Sequence, residues 1–152
     1  MNSELLALSE RIGLAAPERR GLRLAFGLAC AQRVRHLIEN ERALVCIDVL
    51  AAYVTGRAGE EELARAADEI TAIAGSHRGS NSIDGSAHAA VSATYGAANA
   101  LAGKSLDAAG YTAYAAVYAY GGYAVSDPGA FTGEFEWQVA ELSRLAGAGA
   151  AP

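Results

Sequence analysis

An all-α fold of about seven helices is the expectation for this chain, and three observations carry it. Alanine makes up much of the 52% hydrophobic content, while strand-forming residues are sparse, and alanine has the highest intrinsic helix propensity. Apolar residues recur at three- and four-residue spacing in one segment after another, as amphipathic helices require. The third observation is the stretch SLDAAGYTAYAAVYAYGGYAVS, Ser105 to Ser126, which carries no charge between Asp107 and Asp127. At helical spacing Tyr111, Tyr114 and Tyr118 share one stripe, Tyr120 and Tyr123 point the other way, and alanines fill the angles between. A helix without a polar face belongs inside a domain or a membrane. Beyond Asp107 the stretch has no Leu, Ile or Phe and holds five tyrosine hydroxyls, which excludes a span of about 20 strongly apolar residues. It is therefore expected to be the Ala/Tyr-rich central helix of a compact bundle or short stack, with its phenols buried and hydrogen-bonded.

The other elements follow in order. Ser3 is placed to cap a first helix through Ile12, with Leu5, Leu8 and Ile12 on one face and Gly13 as its stop. Pro17 suits the first turn of a second helix and Glu18 its positive end, the helix continuing to Glu39. A third runs from Arg42 to Thr55, before the Gly56 and Gly59 break. A fourth opens on Glu60, Glu61 and Glu62 and buries Leu63, Ala67, Ile70 and Ala74. SHRGSNS, Ser76 to Ser82, has loop composition. A fifth helix spans Ile83 to Ala102 and the central one follows it. Asp127-Pro128-Gly129 reads as a turn. The last helix, Ala130 to Ala146, is aromatic, and its Trp137 is read as a core anchor.

A length of 152 residues suits a single domain, 1–146, able to bury roughly two thirds of its unfolded surface, with 147–152 as a disordered tail. The net charge of −5 and pI near 5.1 argue against a nucleic-acid binder, which needs a basic surface. Charge is uneven: residues 1–42 hold seven Arg against five Glu, and the remainder five basic residues against twelve acids. Cys30 and Cys46 fall in helical apolar patterns without CxxC or metal-ligand spacing, so free buried thiols in a reducing compartment are expected. The N-terminal MNSELLALSERIG lacks the basic and apolar regions of a signal peptide, which points to the cytoplasm.

One ordered polar constellation stands out. Asp84, His88, Ser92, Tyr95 and Asn99 follow at steps of four, four, three and four, and so share one face of the fifth helix. They would form a partner-facing surface or the wall of a pocket around His88, Tyr95 and Asn99. Asp84 and His88, one turn apart, have the spacing of an oriented acid–base pair or of two metal ligands, against the plainer reading of an internally bonded polar stripe. No third ligand at suitable spacing accompanies them, and no cofactor is expected. His77 and Arg78 lie in the polar loop, where function is often carried. No G-x-S-x-G, S-x-x-K or phosphate-loop pattern is present. Glu61 and Glu62, with Asp68, Glu69 and the Glu134–Glu141 group, are solubilising acids or a negative patch for a basic partner.

Cys30-Ala31-Gln32-Arg33-Val34, followed by His36-Leu37-Ile38-Glu39, resembles the C-A-x-R-V segment of immunity proteins of the Imm-5-like group. Arg57 to Ala64, RAGEEELA, is similar to that group's acidic helix start, and Trp137-Gln138 with Leu142 to its closing helix. The resemblance covers about Leu22 to Leu145. It implies an all-α antidote, without turnover or cofactor, that binds a cognate bacterial toxin domain and neutralises it by stoichiometric occlusion. The residues read above as partner-facing, His77, Arg78, Asp84, His88, Ser92, Tyr95 and Asn99, with Glu61 and Glu62, are then the expected contacts. An acidic antidote suits a basic toxin, because opposite fields speed encounter. The competing expectation is a helical enzyme or small-molecule binder using the His88, Tyr95, Asn99 pocket.

Overall fold

The computed structural model describes residues 1–76 and 85–149, and over them the chain is all-α. Seven α-helices occur among the described residues: α1 (Ser3–Arg11), α2 (Arg20–Arg33), α3 (Glu41–Val54), α4 (Glu60–Gly75), α5 (Gly85–Leu101), α6 (Ser105–Tyr120) and α7 (Thr132–Gly149). No strand interrupts them, and no helix among the described residues is long and apolar enough to cross a membrane. The loop carrying His77 and Arg78, and Asp84 just before α5, lie outside the described residues, as do residues 150–152.

Local chemistry sets most helix ends. Asn2 caps α1 rather than Ser3: its Oδ1 accepts from Leu5 N–H at 3.1 Å. The Asn2 amide also donates to Phe135 O at 3.2 Å and to Gln138 Oε1 at 3.1 Å, so one residue starts α1 and ties it to α7. Asn40 starts α3 by accepting from Ala43 N–H at 3.1 Å, and the Glu62 carboxylate closes the start of α4 on Gly59 N–H at 3.2 Å. Each satisfies an amide that the helix itself leaves open. Gly103, at φ +78°, makes the tight turn from α5 into α6.

The expected single helix from Pro17 to Glu39 is divided. Pro17–Arg19 is a 3₁₀ turn, α2 ends at Arg33, and Arg35–Leu37 is a second 3₁₀ turn. No Gly or Pro marks the break at Val34, so no local signal announced it. It buries Val34 and Ile38 in the interior and turns Arg33 and Arg35 toward acids on other helices. The central stretch also stops early: α6 ends at Tyr120, and Gly122–Ser126 forms a 3₁₀ turn. In the other direction α7 continues to Gly149, past its expected end at Ala146.

Two apolar cores meet along α2 and α6. The larger joins α2, α3, α4 and α5 through Leu24, Ile47, Leu50, Leu63, Ile70, Ala97 and Leu101. The smaller joins α1, α2, α6 and α7 through Leu5, Leu8, Phe26, Cys30, Ala109 and Leu142. Both cysteines are free and buried, as expected. Burial pushes the Cys30 thiol up to about 12 and raises that of Cys46, because a thiolate loses its hydration there. Gln138 is buried with them and donates to Ala109 O at 2.8 Å.

α5 and α6 form the most intimate pair in the molecule, and their interface is built from the smallest residues. A Cβ at Gly96 would stand 2.5 Å from Thr112 Cγ2 on α6, and in the neighbouring contact of α2 with α5 one at Gly27 would stand 3.0 Å from Ala100. Ala93, Ala97, Ala100, Ala108, Ala109, Thr112, Ala113 and Ala115 are the buried small residues of the two helices. Such close approach leaves no room for phenol rings. The tyrosine stripe therefore faces outward, which corrects the expectation that its hydroxyls are buried: Tyr111 is 42% exposed and Tyr114 37%, Tyr118 is half-buried, and Tyr120, off the stripe, is 84% exposed. Trp137, expected as a core anchor, lies half-buried at the edge of the smaller core, under the Arg33 guanidinium at 4.4 Å from the ring centre.

Candidate functional site: the outer face of α5 and α6

The polar stripe of α5 and the tyrosine stripe of α6 meet on one outer face. α5 presents half-buried His88, Ser92, Tyr95 and Asn99. α6 presents Asp107, Tyr111, Tyr114 and Tyr118 at steps of four, three and four, so they stack along one side of the helix. Across the seam His88 lies on Tyr118 with ring centres 5.1 Å apart, and Tyr95 stacks on Tyr111 at 5.6 Å. Along α6, Tyr114 meets Tyr118 at 5.5 Å. Ring separations of this kind favour offset or tilted aromatic pairs. The result is a run of paired rings on two helices whose backbones are locked together beneath it.

The individual residues divide by what they touch. Asn99 donates through Nδ2 to Tyr95 O at 2.8 Å, one turn back, so its amide serves its own helix. Ser92 lines a shallow, open recess of about 460 Å³ with Leu106, Asp107, Gly110, Tyr111 and Tyr114. His88 is held among rings. Of the expected stripe, the structure thus assembles His88, Ser92, Tyr95 and Asn99, while Asp84 lies outside the described residues with His77 and Arg78. Among the described residues no group of three or more His, Cys, Asp or Glu side chains is placed to hold a metal.

Tyr111, Tyr114, Tyr118 and Asp107 belong to the site, and the sequence reading did not assign them to it. Their signal was present as the 107, 111, 114, 118 spacing, but it was read as a buried stripe. Gly110 carries a further clue. Glycine within a helix costs about 0.8–1.0 kcal/mol relative to alanine. At Gly96 the Thr112 contact explains it; at Gly110 nothing lies within 4 Å of a built Cβ. Packing therefore does not account for Gly110, which forms the open floor of the recess between Asp107 and Tyr114.

Five of the acids are paired with arginines among the described residues. Arginines of residues 1–42 pair with acids beyond them: Arg20 with Glu60 at 3.1 Å, Arg33 with Glu134 at 2.7 Å, Arg35 with Asp48 at 2.8 Å and Arg42 with Glu69 at 2.7 Å. The Tyr53 hydroxyl and then Arg20 hold the Glu60 carboxyl below its usual range, and Arg42 does the same for Glu69. Arg144 engages Glu141 one turn away. Glu61 and Glu62 are both exposed; Glu62 serves as a helix cap, and Glu61 enters no ion pair among the described residues. The acidic clusters on α4 and α7 are thus partly neutralised by arginines from the N-terminal third. Asp107, like Glu10, Glu41 and Glu136, enters no ion pair among the described residues.

Ser105, at the start of α6, holds the one buried side-chain oxygen among the described residues without a hydrogen-bond partner. It lines a larger recess, on the α1 side of that helix start, together with Arg23 and Lys104.

No protein-family model, curated protein or solved structure matches the chain.

Proposed function

We propose that this chain is a binding protein that recognises a cognate bacterial toxin domain through the outer face of α5 and α6, and neutralises it by stoichiometric occlusion. The observation that carries the reading is the run of paired rings His88–Tyr118–Tyr114 and Tyr95–Tyr111, with Tyr111 and Tyr114 more than a third exposed. Aromatic residues, tyrosine among them, are enriched in the centres of protein interfaces, where they supply large contact area at small entropic cost. A rigid helix pair beneath them suits a surface that acts by shape, since little ordering remains to be done on binding. The resemblance to Imm-5-like immunity proteins adds the kind of partner, and the net charge of −5 favours a basic one.

The partner to test is the toxin domain encoded by a neighbouring gene. Mixed with the purified chain, it is expected to form a complex of fixed stoichiometry by size-exclusion chromatography with light scattering, and to lose its activity in proportion to occupancy. Tyr111→Ala with Tyr114→Ala is expected to raise the dissociation rate at least tenfold, as loss of a central aromatic anchor does. Undiminished binding by this variant would remove the face from the proposal, and turnover of the toxin or of a small molecule would replace occlusion with catalysis.

A further inference from the structure

The recess beside Asp107 sets a narrower chemical requirement on whatever docks there. Six residues line it: Ser92, Leu106, Asp107, Gly110, Tyr111 and Tyr114. Asp107, Gly110, Tyr111 and Tyr114 stand at successive steps of three, one and three on α6 and so share one side of the helix. Gly110 keeps the floor open: a Cβ built there meets no atom within 4 Å. The walls therefore combine one exposed carboxylate with two partly exposed phenol rings.

Asp48, Glu60, Glu69, Glu134 and Glu141 are each matched to an arginine. Asp107 is among the acids that enter no ion pair among the described residues, and it is the one such acid that lines this recess. A carboxylate accepts from guanidinium or ammonium N–H groups, and ring faces attract the same cation through their quadrupole. Serine adds a neutral acceptor at the rim. Inside the recess an anion would meet the Asp107 carboxylate, the cations Arg23 and Lys104 lining the adjoining recess that Asp107 also borders. A purely apolar group would leave the carboxylate desolvated and unpaired.

We propose that this recess is the seat of a single basic side chain, arginine or lysine, projecting from the protein partner. The inference rests on the reading that this face binds a protein, and it adds the chemistry of the central contact. In that arrangement the cationic head pairs with Asp107, the aliphatic stem lies over Gly110, and Tyr111 and Tyr114 flank the charge. Because the pair sits in an open recess, screening weakens it as salt rises.

The test uses the intact chain and small probes. Amide chemical shifts are followed by NMR during titration with N-acetyl-arginine amide, with N-acetyl-lysine amide, and with N-acetyl-citrulline amide as the neutral near-isostere. The basic probes are expected to shift the amides of Asp107, Gly110, Tyr111 and Tyr114, with citrulline bound at least about threefold more weakly, the scale of an exposed cation–π contact alone. Asp107→Asn is expected to bring the basic probes down to the citrulline level. Gly110→Leu, which fills the floor while improving helix propensity, is expected to abolish the shifts with the fold intact by circular dichroism. Equal binding of citrulline and arginine, shifts centred elsewhere, or unaltered binding by both variants would each overturn the proposal. The two readings also separate in the toxin complex. If Tyr111→Ala with Tyr114→Ala breaks it while Asp107→Asn and Gly110→Leu do not, the face stands and the basic anchor falls. If the probes bind as expected but no protein partner responds to the tyrosine variant, the seat stands and the toxin reading falls.

Discussion

The two halves of this molecule solve the packing problem in opposite ways. In the half built from α2, α3 and α4, large aliphatic side chains such as Leu24, Ile47, Leu50 and Ile70 fill the interior, and the outside is spanned by arginine–acid pairs between helices. In the α5–α6 pair the interior is alanine, glycine and threonine, and the large residues stand outside as tyrosines. Where bulk is inside, helices stay apart and polar residues cover them. Where bulk is outside, backbones come close and the exposed face is aromatic. The first half is a conventional stability core; the second gains its contact from close approach and leaves its largest rings available.

That contrast can be broken at several points. Truncation in the aliphatic half should cost most: Leu50→Ala or Ile70→Ala, both fully buried, is expected to lower unfolding free energy by about 2–5 kcal/mol in urea titrations. In the alanine half the damaging direction reverses. Gly96→Val forces a side chain into Thr112 and is expected to cost about 1–3 kcal/mol, whereas Ala→Gly changes there should cost about 1 kcal/mol. If Gly96→Val left stability untouched, the close approach of α5 and α6 would be wrong.

The outward tyrosines give the complementary measurement. Tyr111→Ala and Tyr114→Ala are expected to change stability by no more than about 0.5 kcal/mol each, the usual range for surface positions, while removing partner binding. A loss of about 3 kcal/mol from either would place its ring inside after all. The thiols report on the interior from the other side. Cys30, pushed up to about 12 by burial, should resist a thiol reagent at pH 8 in the native protein and react at once after denaturation.

The smallest effect concerns the paired acids. Glu60 and Glu69 have folded-state values below the ordinary 4.5, so their contribution is present above that value. It is lost as pH falls from 4.5 through their folded values. Glu60 is exposed and Glu69 half-exposed, their arginine partners likewise open to solvent, which makes the gain from each pair small. The melting temperature of Glu60→Gln and Glu69→Gln variants should therefore approach that of the parent as pH drops below about 4. A variant difference that grew instead in that range would contradict the pairing.

The helical class, the approximate number of helices, the buried free thiols and the shared face of His88, Ser92, Tyr95 and Asn99 were legible in the sequence. Each depends on spacing and propensity within one segment. The ends of helices were legible only where a single residue type decides them: Gly13 and Gly56, both at positive φ, mark stops that the sequence announced, but the cap of α1 is Asn2 and not Ser3, and the break at Val34 has no such marker. The four arginine pairs were visible only as a charge asymmetry between the two ends of the chain, because their members lie 13 to 101 positions apart.

What tertiary structure alone decided is which side of α6 faces inward. An alanine- and tyrosine-rich helix has no strong amphipathic signal, since both residue types are accepted inside and at an interface. The sequence settles that such a stretch is a helix and that Tyr111, Tyr114 and Tyr118 lie together on it. The choice between burying the rings and burying the alanines depends on the neighbour's shape. Gly96 on α5 and Thr112 on α6 meet so closely that only the small-residue side fits, and this steric match, between residues 16 positions apart on two helices, sends the tyrosines and Asp107 to the surface together.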